Sequence, residues 1–200
     1  MKQLPERLKE LAQFVVEALP TFKRDKIKRV LDLGCGVGRH CIYLAKNGFD
    51  VVGVDASLSA LKLAKRWGRE ENLSVTLMQA TMTHIPFRDC QFDAVISVSV
   101  IHHALKADIV KTVGEVYRIL RRNGLFLANL TSLRDRRYGA GEKVEAGTFR
   151  TLEAFEEKRF EELHHYFTKT EASELLVCFA KAKVEPMKDR PNYWKITAMK

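Results

Sequence analysis

The chain has 200 residues, 46% of them hydrophobic and 30% charged, and a net charge of +9. That length and composition fit one globular domain with a full core. No apolar run approaches the roughly 20 residues of a membrane span, and the charged stretch Met1 to Glu10 holds no signal-peptide core, so a cytoplasmic location is expected.

Taken in order, Leu4, Leu8, Leu11, Val15 and Leu19 recur at spacings of three or four. They predict an amphipathic helix over 5–19, ended by Pro20 and placed to cap the sheet or cover a bound ligand. Thr21 to Lys28 reads as a basic connector carrying Phe22. A first strand is expected at 29–33 and a helix at 38–47, closed by Asn47-Gly48. A second strand follows at 50–54. Ser57 is the expected N-cap of a helix reaching about residue 67. Strands at 75–79 and 92–97 come next, the latter a continuous apolar run suited to a central parallel strand. A helix over 106–121, stopped by Asn123-Gly124, leads to a strand at 125–130. This strict alternation predicts a parallel sheet with helices on both faces. Residues 131–168 break the pattern and read as a long irregular insertion that shapes a binding site. Thr168-Lys169-Thr170-Glu171 is a capping box for a short helix to Cys178. Strands near 180–186 and 192–199, bracketed by Pro186 and Pro191, suit an antiparallel hairpin.

The chemistry concentrates at Val30-Leu31-Asp32-Leu33-Gly34-Cys35-Gly36-Val37-Gly38. Strand, glycine turn, helix is the opening of a nucleotide-binding α/β unit: the turn is tight, and a ligand must approach the backbone where a Cβ would clash. Asp50 to Asp55 is another apolar strand, ending in an acid about 20 residues after the first glycine, where such folds hold ribose hydroxyls. The alternative is a structural turn with a surface carboxylate. Cys35, Cys41, Cys90 and Cys178 are scattered and read as reduced packing residues; no Cys/His set has zinc-finger spacing, and no metal site is expected.

From Val30 to Leu130 the chain resembles the class I S-adenosylmethionine (SAM)-dependent methyltransferases, in particular the small methyltransferases with a Leu-Asp-Leu-Gly-Cys-Gly loop and a later Leu-Pro-Phe. Here the later element is Ile85-Pro86-Phe87, followed by Phe92-Asp93-Ala94-Val95, Val100-Ile101-His102-His103 and Arg118 to Phe126. The resemblance implies a Rossmann-like three-layer sandwich with a seven-stranded, mostly parallel sheet and an antiparallel last strand. It implies that Asp32, Gly34, Cys35, Gly36 and Gly38 shape the site for the amino-acid end of SAM. It further implies that Asp55 binds the ribose, that Ala56 packs by the adenine, and that Ser97 lies beside the methionine portion. Phe22 is then placed to roof the pocket or to act as a packing staple. Where related chains often carry an acid toward the adenine amino group, this chain has Thr81, so Thr81 and Met82 are the expected adenine neighbours. The product would be S-adenosylhomocysteine.

Methyl transfer needs the acceptor held in line and, for some acceptors, a base. His102, His103, His164 and His165 are the histidines placed for that role, with His102, His103 and His165 the candidates; structural capping is the alternative for each. Arg134, Arg136, Arg137 and Tyr138 could clamp an anionic acceptor or simply be solvated. A small-molecule acceptor is the leading expectation. An RNA acceptor is the second, on the charge of +9, and a non-catalytic SAM-binding partner subunit is the third.

Overall fold

The computed structural model describes residues 5–155 and 158–200. Its central sheet holds β1 (Arg29–Leu33), β2 (Asp50–Asp55), β3 (Thr76–Gln79), β4 (Phe92–Ser97) and β5 (Leu120–Thr131), closed by β9 (Lys181–Pro186) and β10 (Tyr193–Met199). The strand order is β3-β2-β1-β4-β5-β10-β9. The first five strands are parallel, and β10 runs antiparallel to β5 and to β9. This is the seven-stranded, mostly parallel sheet expected from the alternating pattern. β1 lies between β2 and β4, so the order reverses at β1 and a crevice opens beyond the strand ends there.

Successive residues of β1 serve opposite faces, as the period of two in a strand requires. Val30 joins Phe14, Val15, Phe22, Leu44 and Leu61 on one face. Those side chains come from α1 (Gln13–Arg24), α2 (Arg39–Lys46) and α3 (Leu58–Glu70). Leu31 and Leu33 join Ile109, Val113, Val116 and Phe167 on the other face, under α4 (Lys106–Ile119) and α5 (Lys169–Glu174). Burial of each such side chain contributes about 1.5–3 kcal/mol, which makes the three layers one cooperative sandwich. Two caps follow the sequence reading: the Ser57 hydroxyl accepts from the Ala60 N–H at 3.2 Å, and the Thr168 hydroxyl accepts from the Glu171 N–H at 3.1 Å. The Glu171 side chain turns instead to Lys106, at 2.6 Å.

The N-terminus departs from expectation. A 3-10 turn spans Glu6–Leu8, and α1 begins only at Gln13; Leu4 lies outside the described residues. Pro20 sits inside α1 rather than ending it. The reason is burial: Phe14, Val15, Ala18 and Phe22 form one apolar face that continues past Pro20, and this outweighs the lost backbone hydrogen bond. Phe22 is therefore a packing residue, edge-on to Phe49 at 5.8 Å, and roofs nothing. Because Pro20 is exposed, Pro20→Ala is expected to raise stability by about 1 kcal/mol, restoring the bond at no packing cost. Thermal unfolding of the two proteins checks this, and an unchanged or lower melting temperature would contradict it.

The 131–168 segment is not irregular. It contains β6 (Glu142–Glu145), β7 (Thr148–Phe155) and β8 (Lys158–His165), an antiparallel sheet in the order β6-β7-β8. Glu145 pairs with Thr148 around Ala146-Gly147, and Gly147 adopts φ +79°. A two-residue turn with glycine at positive φ is a hairpin signal, hidden here among Glu, Lys and Arg residues of low strand propensity. Two contacts seat this sheet on the main body: the His165 N–H donates to the His102 carbonyl at 2.8 Å, and the Phe167 N–H to the Thr131 carbonyl at 2.8 Å.

Candidate active site

At the carboxyl ends of β1, β2 and β3, and under α4 and β8, lies a cleft of about 550 Å³. Its wall includes Gly34, Asp55, Ala56, Thr81, Met82, Val100, His103, Asp108, Glu162 and Leu163. The volume falls within the range of small-molecule and cofactor sites.

The β1–α2 turn is built from the backbone outward. The Gly34 and Cys35 N–H groups both donate to the Val54 carbonyl, at 2.7 and 3.0 Å, which draws the loop onto β2. Gly34 has φ +75°, and a Cβ there would lie 2.2 Å from Val100 Cγ2, so only glycine fits. Gly36, at φ +54°, borders open space: a Cβ there would meet nothing within 4 Å. Its N–H donates to Asp55 Oδ2 at 2.7 Å, while Asp55 Oδ1 accepts from the Ser57 N–H at 2.8 Å. Each carboxylate oxygen keeps a lone pair for a further donor.

The other residues expected at the cofactor lie further back. Asp32 is 1% exposed and accepts from the Cys41 thiol at 3.3 Å. It stands beneath the loop, off the cleft wall. Burial pushes its carboxyl up to about 7, with the Cys41 thiol and Arg39 opposing. Ser97 is buried, and its hydroxyl donates to the Leu33 carbonyl at 3.0 Å, stapling β4 to the end of β1. Cys35, Gly36 and Gly38 shape the loop without lining the cleft. Ala56, Thr81 and Met82 do line it.

Of the three candidate histidines, His103 reaches the wall. Its Nδ1 lies 3.3 Å from the Leu163 carbonyl and 3.4 Å from Glu162 Oε1. Burial lowers its pKa, with Glu162 opposing. His102 is buried behind it, the two rings 4.2 Å apart. Burial, with His103 and His164 adding to it, lowers the His102 pKa strongly. His165 is also buried and off the wall: Nδ1 lies 2.6 Å from the Thr148 hydroxyl and Nε2 lies 3.3 Å from Glu171. It ties β7 and β8 to α5. Arg137 is paired with Asp135 at 3.0 Å rather than facing the cleft.

Four wall or support residues were not anticipated. Asn129 accepts from the Ser99 N–H at 2.7 Å and holds the turn after β4. A lone amide in the apolar run Leu125 to Leu130 was a legible sign, since buried polar groups need partners. Asp108, Glu162 and Leu163 had no such sign, because their place depends on how distant segments dock.

Residues 31–128 match the family model described as a methyltransferase domain. An uncharacterized methyltransferase of Synechocystis sp. is 36% identical over 100 residues, 50% of this chain and 45% of that protein. A ubiquinone biosynthesis O-methyltransferase of Bartonella tribocorum is 31% identical over 117 residues, 54% of this chain and 47% of that protein. The chain thus spans about half the length of the curated relatives it matches. A solved SAM-dependent methyltransferase of Methanosarcina mazei shares the fold with a TM-score of 0.73, covering 100% of this chain and 99% of that one at 19% identity. Residues 31–128 thus form a methyltransferase domain, carried on the sheet that solved SAM-dependent methyltransferases share.

Proposed function

We propose that this protein transfers a methyl group from SAM to a small-molecule acceptor, in the cleft at the end of β1. The observation that carries this reading is the cleft itself, whose wall holds both the Asp55 carboxylate and the His103–Glu162 pair. The residues fit SAM. Asp55 has lone pairs left for the ribose hydroxyls, and Ala56, Ala80, Thr81 and Met82 offer a mostly apolar slot for the adenine. The open space over Gly36 leaves room for the amino-acid end. When bound, SAM supplies an electrophilic methyl group and is left as S-adenosylhomocysteine.

In this reading His103, Glu162 and Leu163 meet the acceptor, and β6–β8 form the wall that selects it. Asp32, Cys35, Gly38 and Ser97 position the loop instead of touching the donor, and Gly36 leaves its amino-acid end room. An oxygen acceptor is supported by the likeness to an enzyme named as an O-methyltransferase. The charge of +9 keeps RNA as a second acceptor class; RNA affinity falling steeply with added salt would favour it.

Calorimetric titration with SAM and S-adenosylhomocysteine tests the core of the proposal. Binding of both is expected, and failure of both to bind would overturn it. His103→Ala is expected to lower turnover by at least about tenfold, since positioning losses in a site are costly, while leaving SAM affinity within about twofold. An unchanged turnover would remove His103 from the acceptor end.

A further inference from the structure

We propose that His102, His103 and His164 form a metal centre at the acceptor end of the cleft, taking a divalent ion of the zinc type. Each imidazole offers one nitrogen, and the three nitrogens lie within 4.8 Å of one another. The ring centroids of His103 and His164 are 4.6 Å apart. Tetrahedral zinc with Zn–N bonds of about 2.0–2.1 Å needs nitrogens roughly 3.3 Å apart, a closure within reach of side-chain rotation.

Three further observations point to a ligand. First, Nδ1 of His102 and Nδ1 of His164 are buried without a hydrogen-bond partner among the described residues. A buried polar nitrogen left bare costs about 1–3 kcal/mol, and a metal ion satisfies it. Second, carboxylates flank the rings. Glu162 lies 3.4 Å from His103 Nδ1 and 3.4 Å from His164 Nε2, and Glu153 lies 3.2 Å from His164 Nε2. Such carboxylates orient metal-binding imidazoles by accepting from the nitrogen that does not bind the ion. Third, the local charge suits a dication. The nearby cation, Arg137, is paired with Asp135 at 3.0 Å and lies 3.8 Å from Glu153. Glu153, Glu162 and Asp135 together exceed it by two negative charges.

Imidazole ligands select zinc, cobalt, nickel or ferrous iron over magnesium and calcium, which prefer oxygen. The centre is open on one side, because His103 and Glu162 line the cleft while His102 and His164 stand behind. A three-histidine site with an open position binds a further oxygen or nitrogen and lowers its pKa. If the methyl-transfer reading holds, that position belongs to the acceptor, whose proton passes to Glu162. The ion site itself does not depend on that reading.

Stripped of metal by chelation, the full chain is titrated calorimetrically with Zn²⁺ alone, and Co²⁺ is used as a visible-absorption probe. Binding of one ion per chain is expected, with the cobalt spectrum of a site of low coordination number. His164→Ala and His102→Ala alter residues off the cleft wall. Each is expected to weaken Zn²⁺ binding at least about tenfold and to abolish the cobalt spectrum, with SAM affinity unchanged. His164→Asn, closer in shape, is to show the same loss if the alanine variants fail to fold. Absence of stoichiometric Zn²⁺ and Co²⁺ binding would overturn the proposal, as would affinity unchanged in the His164 and His102 variants. Metal binding without SAM binding would sink the methyl-transfer reading and leave the centre standing; SAM binding without metal would do the reverse.

Discussion

Asp55→Ala is expected to weaken SAM binding by about 1–3 kcal/mol, roughly 5- to 150-fold in Kd. The wild-type carboxylate accepts from the Gly36 and Ser57 N–H groups, at 2.7 and 2.8 Å, and lines the cleft. Alanine would leave two donors without their acceptor and remove the ribose contact, so the loss combines a loosened loop with a missing bond. Asp55→Asn separates the two effects. Its amide oxygen can still accept, but its NH₂ would face one of the two backbone donors. An intermediate loss is therefore expected. Calorimetry at fixed pH and salt measures both variants, and an unchanged affinity in Asp55→Ala would take Asp55 out of the site.

The second large effect is a pH dependence of stability carried by Asp32. Burial pushes this carboxyl from an ordinary 3.8 up to about 7. Between those values the folded protein holds a proton that the unfolded chain has released, so folding grows less favourable as pH rises through the window. The stability of Asp32→Asn, which keeps the shape and cannot ionise, should therefore gain on wild type by about 2 kcal/mol between about pH 5 and about pH 8. Urea unfolding of both proteins at the two pH values gives the gap. His40 works in the opposite sense: burial pushes its pKa down to about 3, and its Nε2 accepts from the Ala12 N–H at 3.1 Å. Its contribution is lost as pH falls below 6.5. Because both proteins carry His40, the difference between them isolates Asp32. An equal gap at both pH values would mean that Asp32 titrates as an exposed carboxyl does.

The two acids of the sequence motif thus have different placements, although both sit at strand ends beside glycines. Asp55 is at the last position of β2 and reaches the cleft. Asp32 lies one residue inside the end of β1, between β2 and β4, where its neighbours exclude water. A strand's period of two directs alternate side chains to opposite faces, but only packing reveals which face stays open.

What the sequence determined by itself was local. Apolar runs of four to six residues, glycine at the β1–α2 turn, and caps at Ser57 and Thr168 are short-range signals, and they placed β1 to β5, the intervening helices and the β9–β10 hairpin. Gly34, Asp55 and Thr81 were legible as cleft residues because they stand at recognisable strand ends, and His103 because it follows the fourth strand; Ala56 and Met82 were legible only through the family resemblance. Tertiary structure decided the rest. It carried α1 through Pro20, folded 142–165 into a second sheet, and brought His164 and Glu162 against His102 and His103. Those outcomes depend on contacts between residues dozens of positions apart, where the free energy of burying a shared surface outweighs local preference.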